Sequence, residues 1–76
     1  MNLPFAGAAE QNKAVILQAI RPYLRGNVLE IGSGTGQHAV YFAAEIPELH
    51  WQTSDLEPNL AGIRAWIEDS GLRNLP

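Results

Sequence analysis

The residues with the clearest chemical potential lie between positions 28 and 36, where Glu30 is followed by glycines at 32, 34 and 36. Glycine adopts positive φ readily, and it has no Cβ to keep a ligand away from the backbone. In open α/β sheets, ligands bind where a strand ends in such a loop before a helix. A tight turn is the simpler interpretation, but a turn alone seldom needs three glycines. The spacing therefore predicts a nucleoside-cofactor loop whose helix N-terminus offers unpaired N–H groups to an anionic group.

Two carboxylates flank this loop in the expected fold. Glu30 lies in an apolar run, and an unpaired buried carboxylate is unfavourable. We therefore expect it at the carboxyl end of the strand, hydrogen-bonded to the loop or facing the ligand. Asp55 follows the second predicted strand, where a carboxylate accepts both hydroxyls of a ribose and repels a 2′-phosphate. The alternative role is helix capping, because Ser54, Asp55 and Glu57 all precede Pro58.

Two other nucleotide-binding motifs fit this loop less well. A phosphate-binding P-loop needs Gly-Lys-Ser/Thr, and Lys13 is the single lysine of the chain. A dinucleotide fingerprint counted from Gly32 requires glycine where Gln37 stands. The looser form of this fingerprint, which allows alanine at its last position, fits the residues from Gly34 to Ala39. That register leaves Gly32 and Glu30 without a role. A nicotinamide or flavin site therefore stays open as an alternative.

Apolar periodicity and breaker residues define the elements that position these groups. The pattern predicts helix, strand, helix, strand and helix at about 8–21, 28–31, 36–46, 49–54 and 58–70, after an irregular arm at 1–7. The first strand is expected to be buried, and Pro22 is expected to break the first helix. Strands that alternate with helices predict an α/β fold with parallel pairing and right-handed crossovers.

Composition limits the class of protein. The 76 residues carry a formal charge of −3 and no cysteine, so disulfides and thiolate metal sites are excluded. The scattered basic residues form no patch for nucleic acid, and no apolar stretch approaches the length of a membrane helix. We expect a cytoplasmic protein. His38 and His50 are far apart in sequence and predict no metal site, although His38 is close enough to the loop to neighbour a ligand.

The chain is short for an α/β domain. It stops at residues 72–76, where a third strand is expected, and two parallel strands make a poor sheet on their own. We therefore expect the N-terminal piece of a larger domain. The alternative is a 76-residue protein that dimerises to complete its sheet.

Residues 28–36 resemble motif I of class I S-adenosylmethionine-dependent methyltransferases, and Asp55 stands where their second acidic motif falls. More narrowly, segments 5–13, 36–40 and 51–55 together look like the methyltransferase-like family called domain of unknown function 938. The likeness covers nearly the whole chain.

The resemblance implies a Rossmann-like class I methyltransferase fold, of which residues 1–76 form the N-terminal cofactor-binding part without the later strands. It implies S-adenosylmethionine as cofactor and methyl transfer to an unknown acceptor by a full-length parent, with this segment inactive alone. It implies that the methionine moiety of the cofactor lies over Gly32 to Gly36 and that the ribose hydroxyls bind Asp55. Together with the sequence motifs, the expected cofactor-binding residues are Glu30, Gly32, Ser33, Gly34, Thr35, Gly36, His38, Asp55 and Leu56. Asn12 is a candidate substrate contact, and the resemblance assigns no catalytic residue. The alternatives are a dinucleotide-binding segment of an oxidoreductase, or a non-catalytic remnant that acts as an interaction module.

Overall fold

The computed structural model describes residues 3–76, which form three helices and two strands. The elements are α1 (Gly7–Ile20) with a 3-10 turn at Arg21–Tyr23, β1 (Asn27–Leu29), α2 (Gln37–Glu45), β2 (His50–Gln52) and α3 (Glu57–Ser70). β1 pairs with β2 in parallel, with Val28 opposite Trp51. The predicted order of elements and the parallel pairing are confirmed.

The helix boundaries follow from the breaker residues. α1 ends at Ile20, and the chain around Pro22 forms only a short 3-10 turn. α3 carries Pro58 in its first turn, where proline is tolerated. α3 stops at Gly71, whose φ of +65° is the left-handed conformation that commonly ends a helix. The regular strands are shorter than predicted, although the N–H of Glu30 donates to the carbonyl of Gln52 and that of Gly32 to the carbonyl of Ser54 beyond them.

The sheet is covered on one face only. Both strands alternate exposed, covered, exposed, so that Val28 and Trp51 face the helices. On the opposite face Leu29 is 63% exposed and Ile31 is 80% exposed. The prediction that residues 28–31 form a buried strand is therefore wrong for these two side chains. Successive strand residues point to opposite faces, and in residues 3–76 no helix packs on this second face.

The core lies between the sheet and the helices. It consists of Leu17, Ala39, Phe42, Ala43, Ile46, Leu49, Trp51 and Leu75. Leu75 belongs to a terminal segment that lies beside β2, where the N–H of Trp51 donates to the carbonyl of Asn74 at 2.8 Å. The segment where the sequence predicts a third strand therefore makes a main-chain hydrogen bond to β2, although Arg73 and Asn74 form a turn. Within the described residues, no helix has both the length and the apolar character that crossing a membrane requires.

The arm before α1 is irregular, as predicted, over residues 3–6, while Met1 and Asn2 lie outside the described residues. Its carbonyl at Pro4 accepts a hydrogen bond from Trp66 Nε1 at 2.6 Å. Its N–H at Ala6 donates to Gln37 Oε1 at 2.6 Å. The arm is thereby attached to both helices that border the glycine loop.

Candidate functional site

Ser54 joins the carboxyl ends of the two strands. Its carbonyl accepts the N–H groups of Gly32 and Ser33, both at 2.9 Å. Its hydroxyl donates to the carbonyl of Glu30, and its own N–H donates to Ser33 Oγ at 3.0 Å. These bonds extend the pairing beyond the regular ladder and hold the glycine loop against the segment that carries Asp55.

Asp55 is the polar centre of this edge. Its Oδ2 accepts the N–H of Gly34 at 2.6 Å, across 21 positions of sequence. Its Oδ1 accepts the N–H of Leu56 at 2.6 Å and the side-chain amide of Asn59 at 3.0 Å. The glycine loop and the second acidic position, identified separately in the sequence, therefore meet in one cluster.

The capping interpretation of Asp55 differs from the geometry found. The N-cap residue of α3 is Leu56, and it makes no side-chain capping bond. The Asp55 carboxylate instead bridges the loop and the side chain of Asn59, at the third position of the helix. Asp55 thus connects the two strand ends and, among the backbone donors at the start of α3, accepts only the N–H of the N-cap residue Leu56.

Hydrogen bonding favours the ionised form of this carboxyl group. The Asn59 amide, followed by the N–H groups of Gly34 and Leu56, holds the pKa of Asp55 below its ordinary value of 3.8, while slight desolvation acts in the opposite direction. The group is therefore a carboxylate, able only to accept hydrogen bonds, throughout the neutral range.

We expect the side-chain carboxyl carbon of Asp55 to titrate by NMR with a midpoint below 3.8, and the Gly34 amide shift to follow the same curve. Because the folded pKa is lower than the unfolded one, this cluster stabilises the fold above the unfolded pKa. That contribution disappears as the pH falls through the folded pKa. A midpoint at or above the ordinary aspartate value would contradict the three-donor arrangement.

An open cavity of about 420 Å³ adjoins Asp55 and is lined by Ile31, Gly32, Ser54, Asp55 and Leu56. Ile31 and Leu56 are 80% and 77% exposed, so two apolar side chains border the carboxylate. The cavity can therefore accept a ligand with an apolar face and hydroxyl groups, whereas the carboxylate disfavours an anion.

The glycines of the loop serve different purposes. Gly34 has φ of +62°, and a Cβ there would meet nothing within 4 Å. Its conformation favours glycine, and the space beside it is open to a ligand. Gly36 has φ of +95°, and its Cβ would lie 3.3 Å from Ile63 Cα and from Trp66 Cβ. Gly36 is therefore required for packing between the loop and α3.

Glu30 does not brace the loop amides. Its Oε1 accepts the indole N–H of Trp51 at 3.3 Å, and its own N–H continues the ladder to the carbonyl of Gln52. Of the two roles considered for this carboxylate, the bond to the glycine loop is therefore wrong. The ligand-facing role stays a prediction.

Two of the N–H groups at the start of α2 are already paired. The N–H of Gly36 donates to the carbonyl of Ser33 at 3.0 Å, and that of Gln37 donates to Thr35 Oγ1 at 3.3 Å. The expectation of freely available N–H groups is thus wrong for these two positions. The hydroxyls of Ser33 and Thr35 also make internal bonds, to Ser54 and Gln37 respectively, because the loop folds back on itself.

His38 and Asn12 come together between α1 and α2. His38 Nε2 lies 3.1 Å from the carbonyl of Ala9 and 3.2 Å from Asn12 Oδ1. Beside them, Lys13 donates to Glu10, and this contact is the largest cause that lowers the pKa of Glu10. In the described structure these residues attach α1 to α2, and the predicted ligand contacts of His38 and Asn12 stay predictions.

The sequence suggests only a capping role for Ser54, and it assigns no role at this site to Asn59 or Gln37. Ser54 and Asn59 flank Asp55, and Gln37 is 3% exposed with its Oε1 accepting from both Ala6 and Thr35. Asn59 had a usable signal, since it stands four positions after Asp55 in the first turn of a predicted helix. Gln37 carried no local signal, because Ala6 and Glu10, which it joins to the loop, are distant in sequence.

These features define an α/β protein with a partial Rossmann-like fold. In residues 3–76, two parallel strands end at a glycine loop and a carboxylate beside an open cavity. The chain belongs to the family described as "Protein of unknown function (DUF938)", which matches residues 3–76. No solved structure matches the chain.

Proposed function

We propose that this chain is the S-adenosylmethionine-binding segment of a methyltransferase. The observation that carries the proposal is the Asp55 carboxylate, which is bonded to the glycine loop at Gly34 and lines the cavity at the strand ends. In this arrangement the carboxylate would accept a hydrogen bond from the ribose of the cofactor, and the loop would leave room for the adjoining part of the ligand. The residues present therefore suit the proposed cofactor.

The charge of the edge supports this ligand over a dinucleotide. Glu30 and Asp55 are both acidic, and the five residues that line the cavity include no basic side chain. S-adenosylmethionine carries a positive sulfonium and ammonium group, which carboxylates attract, whereas a dinucleotide carries a pyrophosphate. The N–H groups of Gly36 and Gln37, which a pyrophosphate at the helix N-terminus would need, are used within the loop.

The second candidate, a dinucleotide site, keeps one supporting observation. Ala39 is fully buried in α2, as the small residue of the looser fingerprint requires for close packing. In that register, however, the first glycine is Gly34, five positions after the last residue of β1. The fingerprint needs its first glycine at the strand end, so this candidate is less well supported.

The role proposed for this segment is binding and orientation. When bound, S-adenosylmethionine supplies an electrophilic methyl group on a sulfonium. Asp55 would hold the ribose, Ile31 and Leu56 would offer an apolar surface to the base, and the loop at Gly32 and Gly34 would leave space for the amino-acid portion. Orientation of this kind lowers the barrier of an in-line displacement without a covalent intermediate on the protein.

Isothermal titration calorimetry of the purified protein with S-adenosylhomocysteine, the demethylated product, tests the proposal. We expect saturable one-to-one binding, and no heat with NAD⁺ under the same conditions. The reverse result, heat with NAD⁺ and none with S-adenosylhomocysteine, would replace the methyltransferase by the dehydrogenase class. Absence of binding to either compound by the folded protein would favour the interaction-module alternative.

A further inference from the structure

The carboxylate of Asp55 has little remaining capacity to accept hydrogen bonds. An ionised carboxylate offers about four lone-pair positions, two on each oxygen. The N–H of Leu56 and the amide of Asn59 fill both positions on Oδ1, and the N–H of Gly34 fills one on Oδ2. One position is left, whereas the two hydroxyls of a ribose need two.

A ligand that uses both hydroxyls must therefore displace one of the three donors. The Gly34 and Leu56 donors are backbone N–H groups at 2.6 Å, held in position by the loop and by the start of α3. The Asn59 donor is an exposed side chain with the longest of the three bonds, 3.0 Å. Its amide can turn away and bond to water, so it is the donor that leaves most readily.

Resting on the proposed function, we propose that Asn59 is a placeholder donor, which occupies on Asp55 the acceptor position that one ribose hydroxyl takes, and which leaves when the ligand binds. Asn59 thus competes with the second hydroxyl and reduces the selectivity of the site for a diol over a single hydroxyl. In the ligand-free protein the same bond keeps the carboxylate oriented.

Removal of the Asn59 amide is expected to strengthen ligand binding, whereas removal of a polar group beside a binding site usually weakens it. For Asn59→Ala we expect S-adenosylhomocysteine to bind on the order of threefold to tenfold more tightly, the worth of one net hydrogen bond. Its 2′-deoxy analogue retains one hydroxyl, fits the free position on Oδ2, and should bind the variant and the unmodified protein equally. The affinity ratio of the two ligands therefore rises in the variant.

Matched variants separate this effect from changes in folding. Asn59→Leu removes the donor with nearly the same side-chain shape and should reproduce the result of Asn59→Ala. Gln18→Ala removes an exposed amide from α1 that makes no bond to Asp55, and it should leave both affinities unchanged. Thermal melting of each protein identifies any variant that fails to fold. If one of the two Asn59 variants does not fold, the other still allows the comparison.

The outcomes distinguish the two proposals. Weaker binding of both ligands by the Asn59 variants, or an equal gain for both, would overturn the placeholder role while the methyltransferase proposal stands. A folded unmodified protein that binds no S-adenosylhomocysteine would overturn the proposed function, and the placeholder role with it. As a second readout, the Asn59 side-chain amide signals should move, on ligand addition, toward their positions in ligand-free Asp55→Ala.

Discussion

Asp55→Asn is expected to weaken the binding of S-adenosylhomocysteine roughly tenfold to a hundredfold, with Asp55→Ala at least as damaging. The substitution removes the negative charge and replaces one acceptor oxygen by a donor, while it keeps the shape of the side chain. A hydrogen bond to a charged group contributes roughly 1.5–3 kcal/mol, which corresponds to that loss of affinity. Calorimetric titration of the two variants and of the unmodified protein measures the effect.

The control for this prediction is Asp69→Asn, the same chemical change at an exposed position in the last turn of α3. It should bind the ligand as the unmodified protein does. If Asp55→Asn and Asp69→Asn bind S-adenosylhomocysteine equally well, then the only role of Asp55 is to connect the loop to the strand end, and the ligand binds elsewhere. Circular dichroism of each variant verifies that lost affinity does not reflect lost structure.

Gly36→Ala is expected to reduce the free energy of unfolding by about 2–4 kcal/mol, the sum of a left-handed backbone penalty and overpacking. The backbone at Gly36 has φ of +95°, and the new Cβ would lie 3.3 Å from both Ile63 Cα and Trp66 Cβ. Neither neighbouring atom is the end of a flexible side chain, so the loop or α3 must shift. Urea unfolding followed by tryptophan fluorescence measures the change.

Gly26→Ala separates the two contributions to this loss. Gly26 has φ of +57°, and a Cβ there would meet nothing within 4 Å. This variant should therefore lose only the backbone part, about 1–2 kcal/mol. Equal losses at Gly26 and Gly36 would show that contact with α3 adds nothing, and the packing role of Gly36 would be rejected.

Both predictions concern α3, because one face of this helix contacts Asp55 of the candidate site and also packs against the glycine loop. Asn59, Ile63 and Trp66 are spaced by four and three positions, and they lie on the same side of the helix. The first holds Asp55, and the other two border the loop at Gly36. A displacement of α3 should therefore disturb ligand affinity and stability together.

The sequence alone determined the order of elements and the edge of the sheet at which the glycine loop and Asp55 meet. Pro22, Pro58 and Gly71 mark helix ends through backbone geometry that belongs to the residue itself. Alternating strands and helices require parallel pairing, and parallel strands bring their carboxyl ends to one edge. The meeting of the glycine loop with Asp55 follows from that rule, and it needed no knowledge of individual contacts.

The tertiary structure decided which partner each polar group has and which strand face is covered. Glu30 accepts from Trp51, and Asp55 from Gly34, each across 21 positions. The side chain of Gln37 accepts a hydrogen bond from the N–H of Ala6, which is 31 positions away in the sequence. Periodicity and propensity describe a residue and its near neighbours, so they predict that a group must be satisfied without naming what satisfies it. The exposure of one face of β1 could not be predicted for the same reason. An apolar residue in a strand can face either side of the sheet, and the packing of the helices decides which side is covered. In the described residues, the helices cover only one side.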